Sequence, residues 1–345
     1  MTVLRDRVLA VMRAHWQPEG YTVPNAAIYP FAWLWDSCFH VIIWAALGDA
    51  DRALAELAHV FRLQEPNGFV PHVDYQRHPT QHAELWGRLD GSSITQPPMH
   101  GHAVAELRRR GIDVPDELAD RAARHLEYFL TERRHPSGLL TIWHPWETGC
   151  DDSPRFDHWG ADDPLRWFRV KGELVVGRPH PTFDCAPVSL AALVAWNQRE
   201  LTGVVDEALL DALASRWDPE LATWVDGGAA SSSGRTRTLD GLLPLLVIDE
   251  PSALAAVSDP AAFGGPFGPA GVHRMEPAFD PRRYWRGPVW PQLAYLLWRA
   301  GASIAAETVE GADRSGLAEY WDPDDATGLG AIPQSWTGLA LLMQP

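Results

Sequence analysis

Cysteine is scarce: Cys38, Cys150 and Cys185 are the only three, far apart and without CxxC spacing. That excludes a disulfide framework and suits a reducing compartment. No basic run and no stripe of interleaved arginine and aromatic residues occurs, and 29 Lys+Arg against 45 Asp+Glu leave a formal charge of −16. Nucleic acid and anionic membrane are therefore not expected as partners. No stretch approaches the roughly 20 uninterrupted apolar residues of a membrane span, since even LLPLLVI is stopped by Asp249 and Glu250. The opening MTVLRDRVLAVMRAHW has Leu4, Val8, Val11 and Met12 at helical spacing but is broken by Arg5, Asp6, Arg7 and Arg13. It reads as an amphipathic helix and not as a signal peptide, and the expected location is cytoplasmic. HExxH, GxxxxGK and GxGxxG are all missing, which leaves zinc-protease, phosphate-loop and dinucleotide chemistry without support.

What is abundant is tryptophan, 17 residues, several times the usual share for this length. About half are expected in the core, because Trp is on average highly buried. The remainder fall in loops, where a flat ring with one donor suits stacking on a sugar. Helical periodicity recurs along the whole chain, in DADRALAELAHVFRLQ, GHAVAELRRRGI, PDELADRAARHLEYFLTERR, PVSLAALVAWNQREL, DEALLDALASRW, VWPQLAYLLWRAG and WTGLALLM. Strand-like alternation is rare. Eleven or twelve helices separated by long loops predict an all-α toroid of helical hairpins. The composition of 225–238 is that of a linker, but helices on both sides suit one ring, so a single domain over 1–345 is expected.

Carboxylates next to aromatic rings are the chemical signal, because glycosidic cleavage needs an acid to protonate the leaving oxygen and a carboxylate to activate water. In HPWETGCDDSPRFDHW, Glu147, Asp151, Asp152 and Asp157 crowd beside Trp146, Trp159 and Arg155, and crowding by like charges raises a carboxyl pKa. A polar surface loop with a helix cap is the plainer account. Glu319 precedes Tyr320 and Trp321, ahead of a Gly-rich loop and Gln334 and Trp336; it suits a base or an exposed helix-end Glu. Trp33, Trp35 and Asp36 stand before an apolar run, where Asp36 is either an N-cap or an acceptor for sugar hydroxyls. YWRGPVWP offers Tyr284, Trp285, Arg286 and Trp290. The histidines His100, His102, His144, His158 and His180 lack metal-ligand spacing, and DDSPR lacks the DDxxD spacing of terpenoid cyclases.

Six blocks in order, FAWLWDSCFH, GFVPHVDY, SSITQPPMHGHA, HPWETGCDDSPRFD, YWRGPVWP and EYWDP with QSWTGLAL, resemble the bacterial branch of glycoside hydrolase family 63. Within it they are similar to the glucosylglycerate and mannosylglycerate hydrolases, from about residue 29 to the C-terminus. The resemblance implies an (α/α)6 barrel with a pocket at one end, and a single-step inverting mechanism on an α-glycoside without metal or organic cofactor. By position it implies Asp151 as general acid and Glu319 as general base. It further implies a sugar pocket of Tyr29, Trp33, Trp35, Asp36, Tyr75, Gln96, Tyr284, Trp285, Trp290, Gln334 and Trp336. Arg155 is expected to pair with a neighbouring carboxylate. For a glycerate carboxylate, Arg178 is the preferred grip, with Arg283 and Arg286 as alternatives. The partner is then a small carbohydrate, the chain being a monomer or a homo-oligomer. Two other readings are a sugar epimerase or isomerase on the same toroid, which would use His pairs as proton shuttles, and a carbohydrate-binding pseudoenzyme.

Overall fold

A computed structural model describes residues 2–157, 183–228 and 234–344. Among the described residues lie eleven α-helices: α1 (Thr2–His15), α2 (Leu34–Leu47), α3 (Ala50–Val60), α4 (Ala83–Trp86), α5 (His100–Arg109), α6 (Asp116–Glu132), α7 (Val188–Thr202), α8 (Glu207–Ala214), α9 (Pro251–Ser258), α10 (Pro291–Arg299) and α11 (Ala305–Arg314). Leu239–Leu246 and Ser335–Met343 form 3-10 helices. The first carries Pro244 in its interior, which removes a donor that an α-helix would need. Among the described residues the strands are two residues long and pair as four antiparallel ladders, β1 (Trp16–Gln17) with β2 (Tyr21–Thr22) and β5 (Trp217–Asp218) with β6 (Thr223–Trp224) being two of them. The other two matter for the site: β3 (Ala32–Trp33) with β4 (Val73–Asp74), and β7 (Tyr320–Trp321) with β8 (Gly328–Leu329).

Six helical segments close on one another in succession. α2 packs on α5, α5 on α7, α7 on 239–246, that segment on α10, α10 on 335–343, and 335–343 back on α2. The remaining helices cover this ring: α3 lies on α2, α6 on α5 and α7, α8 on α7, α9 on 239–246, α11 on α10, and α1 on 335–343. The sequence accounts for the two layers. LWDSCFHVIIWAAL of α2 is buried everywhere but Ala46, as a helix apolar on all sides must be. By contrast α3 buries only Ala53, Glu56, Leu57, His59 and Val60, the single face of an amphipathic helix. Its start is capped by Asp49, which accepts from the Arg52 amide, and α2 stops at Gly48 with φ +84°.

The stretch 225–238 is not a linker in its described parts. Asp226 is fully buried and accepts from the Val188 amide at 2.9 Å, and Gly227 pairs with Ala186. WTGLALLM is helical as expected, but of the tighter 3-10 kind, and Gly338 allows Val8 and Ile43 to close on it. Among the described residues nine tryptophans are buried in the core. No helix among the described residues is long and apolar enough to cross a membrane.

Candidate active site

The starts of α2 and of the 335–343 helix, the segments before α5 and α10, and the 149–151 turn converge on one pocket. It is lined by Pro24, Tyr29, Trp33, Trp35, Asp36, Gln96, Gly149, Asp151, Tyr284, Trp285, Glu319, Gln334 and Trp336. The space, open to solvent, is about 390 Å³, toward the small end of the roughly 300–1,000 Å³ of small-molecule sites. Local main-chain features aim these side chains. Pairing of Trp33 with Val73 sets the wall before α2. Gly149, at φ +71°, lets the 145–151 turn press on Trp35, where any Cβ would collide with the indole. Val289 and Trp321 exchange main-chain bonds at 2.8 and 3.2 Å, tying the Tyr284 segment to the Glu319 segment.

Asp151 and Glu319 face the same space with different partners. Tyr284 Oη donates to Asp151 Oδ2 at 2.9 Å. Burial, resisted by that bond and reinforced by the negative charges of Glu319 and Asp152, pushes the Asp151 carboxyl up from 3.8 to about 7. Glu319, 3% exposed, accepts from the Ala331 amide at 2.8 Å and from Tyr29 Oη at 3.1 Å. Burial raises its pKa as well, but both donors work against that rise. Gly330, at φ +68°, sits directly against Glu319 Oε2, and a Cβ there would displace it. Trp336 Nε1 donates to the Glu319 carbonyl at 3.1 Å. Asp36, itself buried, is a third carboxyl of the pocket, held well above its ordinary value first by desolvation and then by Glu319. It lies inside the first turn of α2 and is not its N-cap, a position that falls to Trp33. Gln334 Oε1 and the indole nitrogen of Trp33 are buried without a hydrogen-bond partner among the described residues, as an acceptor and a donor reserved for a polar ligand would be.

Several expected roles fall differently. Tyr75 does not line the pocket: its hydroxyl accepts from Trp86 Nε1 at 3.0 Å in a separate cluster with Phe31 and Ile94. Trp290 lies behind the wall, stacked face to face on Trp285 with centroids 3.5 Å apart. Arg155 pairs not with a neighbouring carboxylate but with distant Asp226, Nε to Oδ2 at 2.8 Å. The aspartates beside Asp151 are instead held by Arg286, which bonds both Asp152 and Asp157 and so is committed within the protein. Glu147 is fully buried, accepting from Arg133 at 2.9 and 3.1 Å and from the Thr95 amide at 3.0 Å. Arg178, His158, Trp159 and His180 lie outside the described residues. Pro24 lines the pocket without belonging to any motif; only the aromatic stretch that follows it marks the region.

Among the described residues no group of three or more His, Cys, Asp or Glu is arranged to hold a metal ion, and no histidine lines the pocket. His100 bonds His125 at 2.9 Å, and His102 lies between Glu200 and Tyr295, each at 2.8 Å.

The family described as the mannosylglycerate hydrolase MGH1-like glycoside hydrolase domain matches residues 29–337. The chain belongs to this glycoside hydrolase family. The family 63 hydrolase is 26% identical to the mannosylglycerate hydrolase of Thermus thermophilus over 94% of this chain and 96% of the relative. It is 27% identical to the glucosylglycerate hydrolase of Mycolicibacterium hassiacum over 93% of each. The solved family 63 mannosylglycerate hydrolase from Thermus thermophilus in complex with Tris and D-glycerate shares its fold, with TM-score 0.86 and 24% identity over 99% of both chains. The mannosylglycerate hydrolase of that organism solved in complex with glucose gives TM-score 0.84 at 25% identity. The chain is thus a glycoside hydrolase, mostly helical, acting on a small carbohydrate.

Proposed function

We propose that residues 1–345 form a single (α/α)6 barrel that hydrolyses an α-glycosidic bond with inversion, Asp151 acting as general acid and Glu319 as general base. The closed succession of six helices with six covering helices supports the barrel. One observation carries the chemistry: two carboxyls in one pocket have unequal environments, Glu319 accepting from two donors and Asp151 from one. Asp151, raised to about 7, holds a proton near neutral pH and can give it to the leaving oxygen. Glu319, gripped by an amide and a phenol, is the better place for negative charge and takes the proton of an attacking water. Inversion needs the carboxyls about 6.5–9.5 Å apart to admit that water.

The substrate is an α-glucoside or α-mannoside of glycerate, which the names of both relatives support. With −16 net charge, binding an anionic aglycone demands a local cation. Arg286 is spent on Asp152 and Asp157, so Arg178 stays the first choice and exposed Arg283 the second. A sugar isomerase is disfavoured because no described histidine reaches the pocket. A cytoplasmic location is inferred from the isolated cysteines.

Asp151→Asn and Glu319→Gln each abolish turnover while sugar binding survives. Proton NMR in the first minutes of wild-type reaction should show the β-anomer; initial α-anomer would mean a covalent intermediate and a nucleophilic Glu319. Assays of glucosylglycerate, mannosylglycerate and neutral α-glucosides, with Arg178→Ala alongside, test the aglycone; a preferred neutral disaccharide refutes the anionic one.

A further inference from the structure

One short turn bonds three carboxylates of one loop. Tyr284 Oη reaches Asp151 at 2.9 Å. Two residues on, Arg286 grips Asp152 through Nε and Nη2 at 3.1 and 2.8 Å, and Asp157 through Nη1 and Nη2 at 2.5 and 2.8 Å. Trp285 between them has φ +56°, a left-handed value that a bulky residue adopts only when its surroundings enforce it. It faces the pocket with its other side stacked on Trp290. Arg286 itself is buried, 4% exposed.

We propose that Arg286 is a positioning residue for the general acid: by pairing with both Asp152 and Asp157 and locking their loop to the Tyr284 turn, it fixes where Asp151 stands and the pH up to which it keeps its proton. The inference rests on the reading of Asp151 as the acid. The charged and titratable groups that act on Asp151 are Asp152 beside it, Tyr284 from the turn and Glu319 from the segment before β7, with Asp36 of α2, Tyr29 and Cys150 also within its field. Arg286 faces Asp152 and Asp157, and Arg283 approaches Asp152 at 3.6 Å. Without the guanidinium one positive charge is lost from the loop beside Asp151, which then releases its proton at higher pH. The freed loop also loses its register with the pocket. Lysine keeps the charge but cannot make the paired bidentate bonds.

The test is the pH dependence of kcat and kcat/KM on glucosylglycerate, or on the preferred glycoside of the substrate panel, from about pH 5 to about pH 9. Wild type is compared with Arg286→Met, Arg286→Lys and the triple variant Arg286→Met/Asp152→Asn/Asp157→Asn. Arg286→Met should lower kcat about tenfold or more with KM little changed, and move the basic limb up by about one pH unit. Arg286→Lys should restore the limb better than kcat, and the triple variant should return the limb to the wild-type position or below. A limb unmoved in folded Arg286→Met overturns the proposal, as does a loss confined to KM, which would mean that Arg286 binds substrate. Should Arg286→Met not fold, Asp152→Asn tests the same screen: its limb moves down, and an unmoved limb overturns the proposal. Activity surviving in Asp151→Asn would instead sink the acid assignment itself, a separate outcome.

Discussion

Replacing the Asp151 carboxyl by an amide should make the protein more stable while destroying its activity, and only above a definite pH. Asp151 has a folded pKa of about 7 against an ordinary 3.8. A group raised in this way contributes its stability fully below the unfolded pKa and loses it as pH rises through the folded one. The wild-type protein is therefore penalised progressively between about pH 4 and pH 7, when ionisation becomes cheap in the unfolded chain and costly in the pocket. At about 1.4 kcal/mol for each tenfold change, the ceiling is about 4 kcal/mol. Asp151 is partly exposed, so water relieves some of the penalty, and about 2 kcal/mol is the working figure. Asparagine keeps the volume and can still accept from Tyr284, but it neither ionises nor repels Glu319. For a chain of this length the gain corresponds to a Tm higher by about 3 °C. Scanning calorimetry of Asp151→Asn and wild type at about pH 4 and pH 8 measures it. A Tm difference equal at the two pH values, or in favour of wild type at the higher one, refutes the account of Asp151 as a carboxyl held neutral by its site.

Three further outcomes are expected. The same titration should appear in catalysis, with kcat/KM falling as pH rises through about 7 because the acid has lost its proton; a pH–rate profile flat to about pH 9 contradicts it. Gly330→Ala places a methyl where Glu319 Oε2 now sits, so kcat should drop by about a hundredfold with the circular dichroism unchanged, and a kcat within about twofold of wild type would mean that the base does not depend on this turn. Arg133→Met leaves the fully buried Glu147 without its ion-pair partner and should cost about 3–5 kcal/mol in denaturant unfolding, whereas the double variant Arg133→Met/Glu147→Met should recover most of it.

Much of the helical layout was legible because burial leaves its mark on local pattern. The apolar run 41–47 of α2 and the one-sided faces of α3 and α6 are readable from local pattern, and caps such as Asp49 and Gly48 mark their ends. The convergence of Tyr29, Trp35, Asp36, Asp151, Tyr284, Glu319 and Gln334 on one pocket was legible only through the resemblance of the ordered blocks to family 63, since each residue taken alone had a plainer structural account. Charge pairing was not legible in the same way. Arg155 sits among four acidic residues, yet chooses Asp226 across the chain, because a buried guanidinium takes the partner that is buried with it. Arg286 looked free to bind an anion, and Glu147 looked like a rival acid, until distant Asp152, Asp157 and Arg133 were brought to them. Tyr75 belongs to the GFVPHVDY block, none of whose residues lines the pocket, and its hydroxyl is taken by Trp86 instead.

The three cysteines gain a use from where the fold has put them. Cys38 is fully buried in the ring helix α2, Cys150 adjoins Asp151, and Cys185 bridges to Ile142 beside the start of α7. Burial pushes each thiol well above its ordinary pKa, so the folded protein offers almost no thiolate, the form that reacts. Alkylation must wait for a part of the structure to open, and its rate becomes a clock for that opening. Cys150 times the release of the acid loop, Cys185 the parting of the segment that precedes α7, and Cys38 the breaking of the ring itself. A ligand that fills the pocket should slow the first clock more than the last.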